Sequence, residues 1–328
     1  MIYCRQFIGG IFMKALVISK SKFERLKPYV LDKAVANSEG SLFTIEYGKN
    51  WDNRQKLLKK LYIDEGEYFG NKLLTVNTLI DHHEEIEHMP MVIPERIGVV
   101  NNQVSAIIFP FIEDSVNLLM VLRNYKVPME VKVNLLKQVG TLIEGMRHVN
   151  VLDQPIYLGD LHEGNFILDK NGVVKAVDLD SCKIGYNAPF PSRYLRMANA
   201  QLRKLPNKYP MIEDRTASLL PGDTQKPYIN EINYNTELFC YNMMVMNTLA
   251  NGPINEYDDE TFYTYLQYAK SKGLSDDLMD CFSRLYVNAA NQSPLRILDQ
   301  IPKNNGPYLY NVFENLYQNS SGKNKVKK

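Results

Sequence analysis

Features that mark several specialised classes of protein are scarce in this sequence. Its 328 residues include only four cysteines, at positions 4, 182, 240 and 281, and their spacing suggests neither a disulfide framework nor a zinc site. No apolar run is long enough for a membrane span or a signal-peptide core, because the longest one near the N-terminus, Phe7 to Phe12, contains two glycines and is followed closely by Lys14. We therefore expect a cytoplasmic protein with reduced thiols and no membrane partner.

An excess of charge of one sign is also lacking. The 38 lysines and arginines nearly balance the 37 aspartates and glutamates, so the formal net charge is only +1. Such a chain lacks the positive field on which nonspecific nucleic-acid binding depends, and we expect no nucleic-acid partner. With 45% hydrophobic and 23% charged residues, the composition predicts a globular protein with a substantial core, organised as one large domain or two smaller ones.

The pattern of apolar residues changes along the chain. In the first hundred residues, short apolar runs alternate with turn residues, which predicts strands, and one helical stretch, Tyr68 to Ile80, interrupts them. Asn101-Asn102 predicts a tight hairpin. From about residue 128 the spacing becomes helical, and Leu238 to Leu249 is apolar almost all round, as in a buried helix. The predicted strands are 30–35, 42–47, 56–63, 95–100 and 104–112, and the apolar stripe of the long helix is Val131, Leu135, Val139, Leu142, Ile143 and Met146.

The two ends of the chain carry weaker signals. Met13 precedes Lys14 and a short apolar run, so it looks as good a start as Met1, and residues 1–12 are expected to be an over-called extension without a structural role. Residues 320–328 are polar and basic, which predicts a frayed tail.

The most informative segment is Ile156 to Ile184, IYLGDLHEGNFILDKNGVVKAVDLDSCKI. Asp160 is followed five residues later by Asn165, and the triplet Asp178-Leu179-Asp180 ends the segment. Two short apolar runs between them are joined by Lys170-Asn171-Gly172, which predicts a β-hairpin. Such a hairpin brings Asp160 and Asn165, before its first strand, close to Asp178, after its second.

Three oxygen-bearing side chains in one cleft suit phosphoryl transfer from ATP. That reaction needs hard oxygen ligands for Mg²⁺ and a separate carboxylate that accepts the proton of an attacking hydroxyl. The alternative is that Asp160 and Asp178 only cap turns, where Asp and Asn are common. The combination of the spacing, the hairpin and the second aspartate favours the functional interpretation.

The segment resembles the catalytic and metal-binding loops of the protein-kinase-like superfamily. The H-R-D-x-x-x-x-N motif corresponds to 158–165, and the D-F-G position to Asp178-Leu179-Asp180. The resemblance implies that Asp160 is the catalytic base, assisted by Asn165, that Asn165 and Asp178 hold Mg²⁺, and that ATP is the phosphoryl donor. It also implies an α+β, bilobal kinase-like fold. The expected divisions are an N-terminal extension 1–20, a small β-rich N-lobe 21–112, a larger helical C-lobe 113–319 and a basic tail 320–328.

The same resemblance suggests further nucleotide contacts. Ser38 and Gly40 stand where kinases have the glycine-rich loop, although Gly40 is the only glycine present there. Lys59 is our choice for the lysine that contacts the phosphates, but Lys60 has the opposite orientation on a strand, and the sequence leaves open which of them faces the cleft. Pro110, through its carbonyl, and Ile112, through its N–H, stand where the adenine-binding hinge is expected.

One residue departs from the kinase pattern. With Leu73, Val76 and Leu79 on the buried face of the first helix, Lys72 falls where a glutamate partner for the phosphate lysine is expected. Glu65 and Glu67, near the start of the helix, are alternative partners. A buried lysine without a counter-charge is costly, so Lys72 is expected to face solvent or to pair with another acid.

The predicted function is ATP- and Mg²⁺-dependent phosphorylation of a hydroxyl, with Ser or Thr of a protein substrate as the leading acceptor. The long stretch between Asp178 and Glu237 has room for an activation segment and a substrate platform. A small-molecule acceptor is the first alternative, since the motif G-D-L-H-x-G-N, with His162 and Gly164, also resembles aminoglycoside and choline kinases. A simpler interpretation of His162 is that it forms a hydrogen bond within its loop. A pseudokinase that binds nucleotide or a partner without transfer is the second alternative. The sequence does not specify an oligomeric state.

Overall fold

The computed structural model describes residues 3–8, 11–28, 40–46, 55–61, 66–124, 126–185 and 232–249, with helical positions at 263, 266, 267 and 276. Helices and strands are mixed in this part of the chain, as an α+β fold requires. The strands are β1 (Tyr3–Ile8), β2 (Ile11–Val17), β3 (Lys27–Pro28), β4 (Gly40–Glu46), β5 (Gln55–Leu61), β6 (Arg96–Val100), β7 (Gln103–Pro110), β8 (Val116–Asn117), β9 (Asn150–Val151), β10 (Gln154–Tyr157), β11 (Phe166–Leu168), β12 (Val174–Ala176) and β13 (Lys183–Ile184). The helices are α1 (Lys20–Glu24), α2 (Gly66–Asp81), α3 (His83–Ile86), α4 (Leu118–Arg123), α5 (Met129–Met146) and α6 (Tyr234–Leu249).

Seven of the described strands form one sheet, in the order β1-β2-β6-β7-β5-β4-β3. β2 and β6 are parallel, and the other neighbours are antiparallel, so the sheet is mixed. The turn between β6 and β7 is the predicted Asn-Asn hairpin: both residues have positive φ, of 49° and 64°, which matches the twist of the flanking strands. The predicted strands 42–47, 56–63, 95–100 and 104–112 are confirmed as β4, β5, β6 and β7; the predicted strand 30–35 lies outside the described residues.

The sheet has a hydrophobic cluster on each face. On one face, Leu73, Val76 and Ile80 of α2 pack against inward-facing residues of the strands, such as Ile97 and Ile107. On the other face a second cluster contains Leu16, Ile18, Leu58, Ala106 and Ile108. Because α2 covers only the first face, side chains that alternate along a strand meet different surroundings. This alternation decides which lysine of β5 approaches α2.

Residues near the N-terminus take part in the sheet. β1 and β2 pair along their length, and β2 pairs with β6 through Ala15, Leu16 and Val17. Ala15, Leu16 and Ile18 are buried. The expectation that residues 1–12 have no structural role is therefore wrong. In the sequence, Gly9 and Gly10 interrupt the run, so no continuous strand pattern marks these residues.

The described fold divides into two compact units. The first comprises 1–117, 145–159 and 164–190, and the second 118–144, 160–163 and 191–328. The first unit thus extends beyond the boundary expected near residue 112 and also includes residues 145–159 and 164–190. The reason is strand pairing, since β11 pairs with β8 and β12, and β10 pairs with β9 and β13.

The second unit contains helices. α6 begins at Tyr234, and Asn233 caps it: Asn233 Oδ1 accepts a hydrogen bond from the N–H of Thr236 (3.0 Å), whose hydroxyl accepts one from the N–H of Asn233 (2.9 Å). The predicted burial of Leu238 to Leu249 is confirmed apart from Asn247, which is half-buried. Tyr241 is fully buried and donates to the carbonyl of Leu136 in α5 (2.8 Å). Among the described residues, no helix combines the length and the apolar character needed to span a membrane.

The buried stripe of α5 differs from the predicted one at its first position. Val131 is 43% exposed, whereas Lys132 is fully buried. Lys132 lies seven residues before Val139, hence on the same face of the helix, and its ammonium donates to the carbonyl of Leu122 near the C-terminal end of α4. A lysine can occupy the stripe because that carbonyl is available to it.

The burial of Lys132 predicts a pH-dependent contribution to stability. Burial lowers the pKa of Lys132 to about 8, from 10.5. Between these two values the unfolded chain binds a proton that the folded chain does not, so the free energy of unfolding rises with pH, by at most about 3 kcal/mol from this group. Urea unfolding of the wild type and Lys132→Met at pH 7.5 and 10 measures the effect. The stability of the wild type relative to the variant should increase with pH; an equal difference at both values would contradict the assignment.

Candidate functional site

The predicted hairpin after Asn165 is present in the first unit. β11 and β12 pair from Phe166 opposite Ala176 to Leu168 opposite Val174. Asp169 organises the turn: its carboxylate accepts hydrogen bonds from the N–H groups of Asn171 (2.9 Å) and Val173 (3.0 Å), and Gly172 has a φ of 78°. At the open end, the N–H of Val177 donates to the carbonyl of Asn165 (2.9 Å). The hairpin therefore brings Asn165 and Asp178 to the same end, as predicted.

The open end of the hairpin is fixed by a residue that the sequence analysis did not single out for this role. Asn117, at the end of β8, is buried and donates from Nδ2 to the carbonyl of Gly164 (2.9 Å). It also lies opposite Ile167 in the pairing of β8 with β11. The sequence offers little signal for this contact, because Gly164 lies far from Asn117 along the chain. The hydrogen bond holds the backbone immediately before Asn165.

Asp178 lies at the point where the chain leaves β12. Its backbone is in the left-handed region, with φ 62° and ψ 39°, a conformation that is uncommon for residues other than glycine and tends to occur at functional sites. A 3₁₀ turn, Leu179–Ser181, follows directly. The side chain of Asp178 is 32% exposed, and its Oδ1 accepts a hydrogen bond from Nζ of Lys59.

The second aspartate of the triplet is enclosed. The side chain of Asp180 has no exposed surface, and both its oxygens accept from Nζ of Lys59, at 3.0 and 2.9 Å. Lys59 lies in the middle of β5, opposite Leu42 of β4 and Ile107 of β7, and it is buried. A single ammonium group therefore joins the central sheet to both acids of the triplet.

Lys60, the alternative to Lys59, points elsewhere. Its ammonium lies over the rings of Phe23 and Phe43, 4.4 and 4.3 Å from their centroids. These rings pack on the cluster that contains Leu58, on the face of the sheet opposite α2. The question that the sequence left open is thus answered: Lys59 contacts the acids, and Lys60 makes cation–π contacts.

Helix α2 supplies a second lysine. α2 packs against the 3₁₀ turn, and Thr75 Oγ1 donates to the carbonyl of Cys182 (3.2 Å). Lys72 lies one helical turn before Thr75 and is only 9% exposed. Of the two alternatives expected for Lys72, solvent or an acidic partner, its burial excludes solvent. Its positive charge acts to lower the pKa of both Asp178 and Asp180. Neither Glu65 nor the side chain of Glu67 is among the described parts of the chain.

The charges of Lys59, Lys72, Asp178 and Asp180 shift the pKa values within this site. Burial alone lowers the pKa of Lys59, but Asp178 and Asp180 outweigh it and raise this pKa above its ordinary value. Burial alone raises the pKa of Asp178, but Lys59 outweighs it and lowers this pKa. Burial raises the pKa of Asp180, and the neighbouring Asp178 carboxylate adds to this against the opposing effect of Lys59. Asp178 is therefore the more acidic carboxyl of the pair, and Asp180 the less acidic one.

Asp160 belongs to the second unit. Its carboxylate Oδ2 lies 3.5 Å from Nε2 of His162, so the two side chains of this loop contact each other, as the simpler interpretation of His162 expects. The next residue, Glu163, is buried and pairs with Arg123 of α4 at 3.3 Å. Glu237 is also buried in this unit.

The other residues predicted to contact the nucleotide lie on the strands next to β5, just beyond β7, or outside the described residues. Gly40 begins β4 opposite Leu61, and Pro110 ends β7 opposite Lys56. Ile112 is half-buried beyond β7, and its carbonyl accepts from the hydroxyl of Ser115 (3.0 Å). Ser38 is not among the described residues. Among the described residues, no hydrogen bond or ion pair joins Gly40, Pro110 or Ile112 to Asp178.

The residues that could hold a metal ion here carry oxygen donors. Within the described ranges, no group of three or more His, Cys, Asp or Glu side chains forms a metal site. Mg²⁺ can be held by one or two carboxylates together with water and substrate phosphates. The half-exposed carboxylate of Asp178 and the amide oxygen of Asn165, at the same end of the hairpin, fit that requirement. Sequence comparison of the chain finds no matching protein-family model and no matching curated protein.

Lys59 and Lys60 form a matched pair for a stability test. Lys59→Met removes the cation that Asp178 and the buried Asp180 both contact, and we expect it to lower the free energy of unfolding by about 3 kcal/mol, because breaking a buried ion pair leaves uncompensated charge. Lys60→Met removes only cation–π contacts and should cost about 1 kcal/mol or less. Urea unfolding of both variants gives the comparison, and equal losses would contradict the described charge set.

Proposed function

We propose that the protein is an ATP- and Mg²⁺-dependent phosphotransferase with a bilobal kinase-like fold, which moves the γ-phosphoryl group of ATP to a hydroxyl. The observation that carries the proposal is the contact of Lys59, on the central sheet, with Asp178, at the end of the hairpin that Asn165 begins. A lysine on a strand, an exposed aspartate and an asparagine oxygen are the groups that hold a nucleotide triphosphate with its metal. The sheet of the first unit and the helices of the second are compatible with the two lobes.

Each residue has a distinct role in the proposed reaction. Lys59 binds the phosphate oxygens, and Asn165 and Asp178 hold Mg²⁺, which neutralises charge on the phosphates when bound. Asp160 orients the acceptor hydroxyl and takes its proton. The role of Asp160 rests on its motif alone, since the hairpin geometry concerns the other residues. Positioning and charge neutralisation provide most of the rate enhancement in this chemistry, and no covalent intermediate is needed.

Ser or Thr of a protein is the leading acceptor, because the long stretch between Asp178 and Glu237 has room for a substrate platform. A small hydroxyl compound is the second candidate. The loop sequence with His162 and Gly164 supports it, since His follows the catalytic Asp at this place in the kinases of small molecules that the loop resembles. The pseudokinase alternative is based on the single glycine at the glycine-rich-loop position and on Lys72 at the position of the helix glutamate, and the transfer assay below tests it.

The proposal predicts that transfer depends on Asp160 while nucleotide binding does not. Asp160→Asn should reduce the transfer of labelled γ-phosphate by about 10²- to 10⁴-fold, the usual effect of losing a general base, and leave ADP affinity nearly unchanged. Asp178→Asn should weaken both transfer and Mg²⁺-dependent binding. Acceptors to be tested are the protein itself, a generic protein substrate and an aminoglycoside panel.

Asp153→Asn is the control, because Asp153 is an exposed acid in the turn between β9 and β10. It should retain the transfer rate of the wild type. Label on protein that is lost in Asp160→Asn supports the leading acceptor, and label on an aminoglycoside supports the second candidate. Nucleotide binding without Asp160-dependent transfer to any acceptor would favour the pseudokinase.

A further inference from the structure

The charge set around Lys59 differs from the kinase arrangement at two positions together. In kinases the phosphate lysine pairs with a glutamate of the first helix, and the D-F-G triplet ends in glycine. Here α2 carries Lys72 at the glutamate position, and the triplet ends in Asp180. One negative charge is missing from the helix, and one has been gained in the triplet.

The contacts show that Asp180 takes the place of the missing acid. Both its oxygens accept from Nζ of Lys59, at 3.0 and 2.9 Å, a more complete contact than Lys59 makes with Asp178. Asp180 has no exposed side-chain surface, so it is poorly placed to meet a ligand, whereas Asp178 is a third exposed. Asp180 thus suits the role of a fixed partner, and Asp178 that of a ligand-contacting group.

Lys72 is placed to compensate for this exchange. It lies on the face of α2 that packs against the 3₁₀ turn containing Asp180, one helical turn before the Thr75 contact with Cys182. At 9% exposure, a glutamate in its place would add a third carboxylate to a buried site that already holds two. With lysine there, two cations face two acids.

We propose that Lys72 and Asp180 are an exchanged pair: Asp180 positions Lys59 in place of the helix glutamate, and Lys72 compensates the negative charge that Asp180 adds to the buried site. This inference rests on the proposed function, because it names the groups that set the nucleotide affinity of that site. Asp180 acts through its contact with Lys59 and Lys72 acts through charge balance, so both are positioning residues.

Restoring the kinase arrangement tests the exchange. Lys72→Glu and Asp180→Gly should each weaken the affinity for a non-hydrolysable ATP analogue with Mg²⁺ at least tenfold, about 1.4 kcal/mol. The double variant K72E/D180G recreates a helix glutamate and a terminal glycine, and its affinity should return to within about threefold of the wild type, as expected for directly coupled residues. Isothermal titration calorimetry gives these affinities without requiring an acceptor substrate.

Lys60→Glu provides the control for charge reversal, because Lys60 contacts Phe23 and Phe43 on the other face of the sheet. Combined with Asp180→Gly, it should show no recovery. The exchange is wrong if K72E/D180G binds more weakly than either single variant. Should Asp180→Gly fail to fold, Lys72→Gln and Asp180→Asn replace the two substitutions. The combined loss of nucleotide affinity in the double variant should then be smaller than the sum of the two single losses.

Failure of the proposed function is distinguishable from failure of the exchange. A wild type that binds no nucleotide overturns the proposed function. The exchange is then decided by urea unfolding of the same four proteins: recovery of the unfolding midpoint in K72E/D180G supports it, and additive losses overturn it.

Discussion

Lys59 can be buried only because the carboxylates of Asp178 and Asp180 lie against its ammonium group, and the first compact unit is arranged around that requirement. Removing an ammonium group from water costs several kcal/mol unless a counter-charge and hydrogen bonds replace the lost hydration. Asp178 and Asp180 supply both, and Lys72 balances the second acid. The two lysines lie far from the two aspartates in the sequence, yet the four groups depend on one another, and a change to one alters the cost of burying the rest.

The apolar frame holds these charges in place. β5 pairs with β4 on one side and with β7 on the other, and this pairing fixes the position of Lys59 and the face from which its side chain projects. Residues of α2 that pack on the sheet fix the helix, and with it Lys72. The hairpin of β11 and β12 is held on one side by β8 and on the other by the backbone of 90–92, which pairs with Ala176. Asn117 fixes the backbone at Gly164. Because each support belongs to a different element, the acids cannot shift independently of the sheet.

Local patterns in the sequence predict local structure well. The helices α2 and α5, the hairpin after Asn165 and the Asn-Asn turn follow from spacing and turn chemistry over a few residues. The contacts that define the site join elements that are distant in the sequence, and these contacts could not be predicted from the pattern of a single sequence. Alternation along β5 shows that Lys59 and Lys60 face opposite sides, but only the position of α2 decides which face holds the acids. Likewise, Lys132 replaces Val131 in the stripe of α5 because a carbonyl at the end of α4 lies opposite it.

The two acids of the triplet differ in a way that bears on chemistry. Asp178 combines a partly exposed carboxylate with a left-handed backbone at the end of β12, and its pKa is lowered, so it remains an anion that a cation can approach. Asp180 is enclosed, contacts Lys59 through both oxygens and has a raised pKa. A cation that approaches Asp178 would compete with Lys59 for it, yet Lys59 would keep its contact with Asp180. The enclosed acid can therefore hold the lysine in position while the exposed acid changes partners, and this division of roles explains why a site with two lysines retains two aspartates.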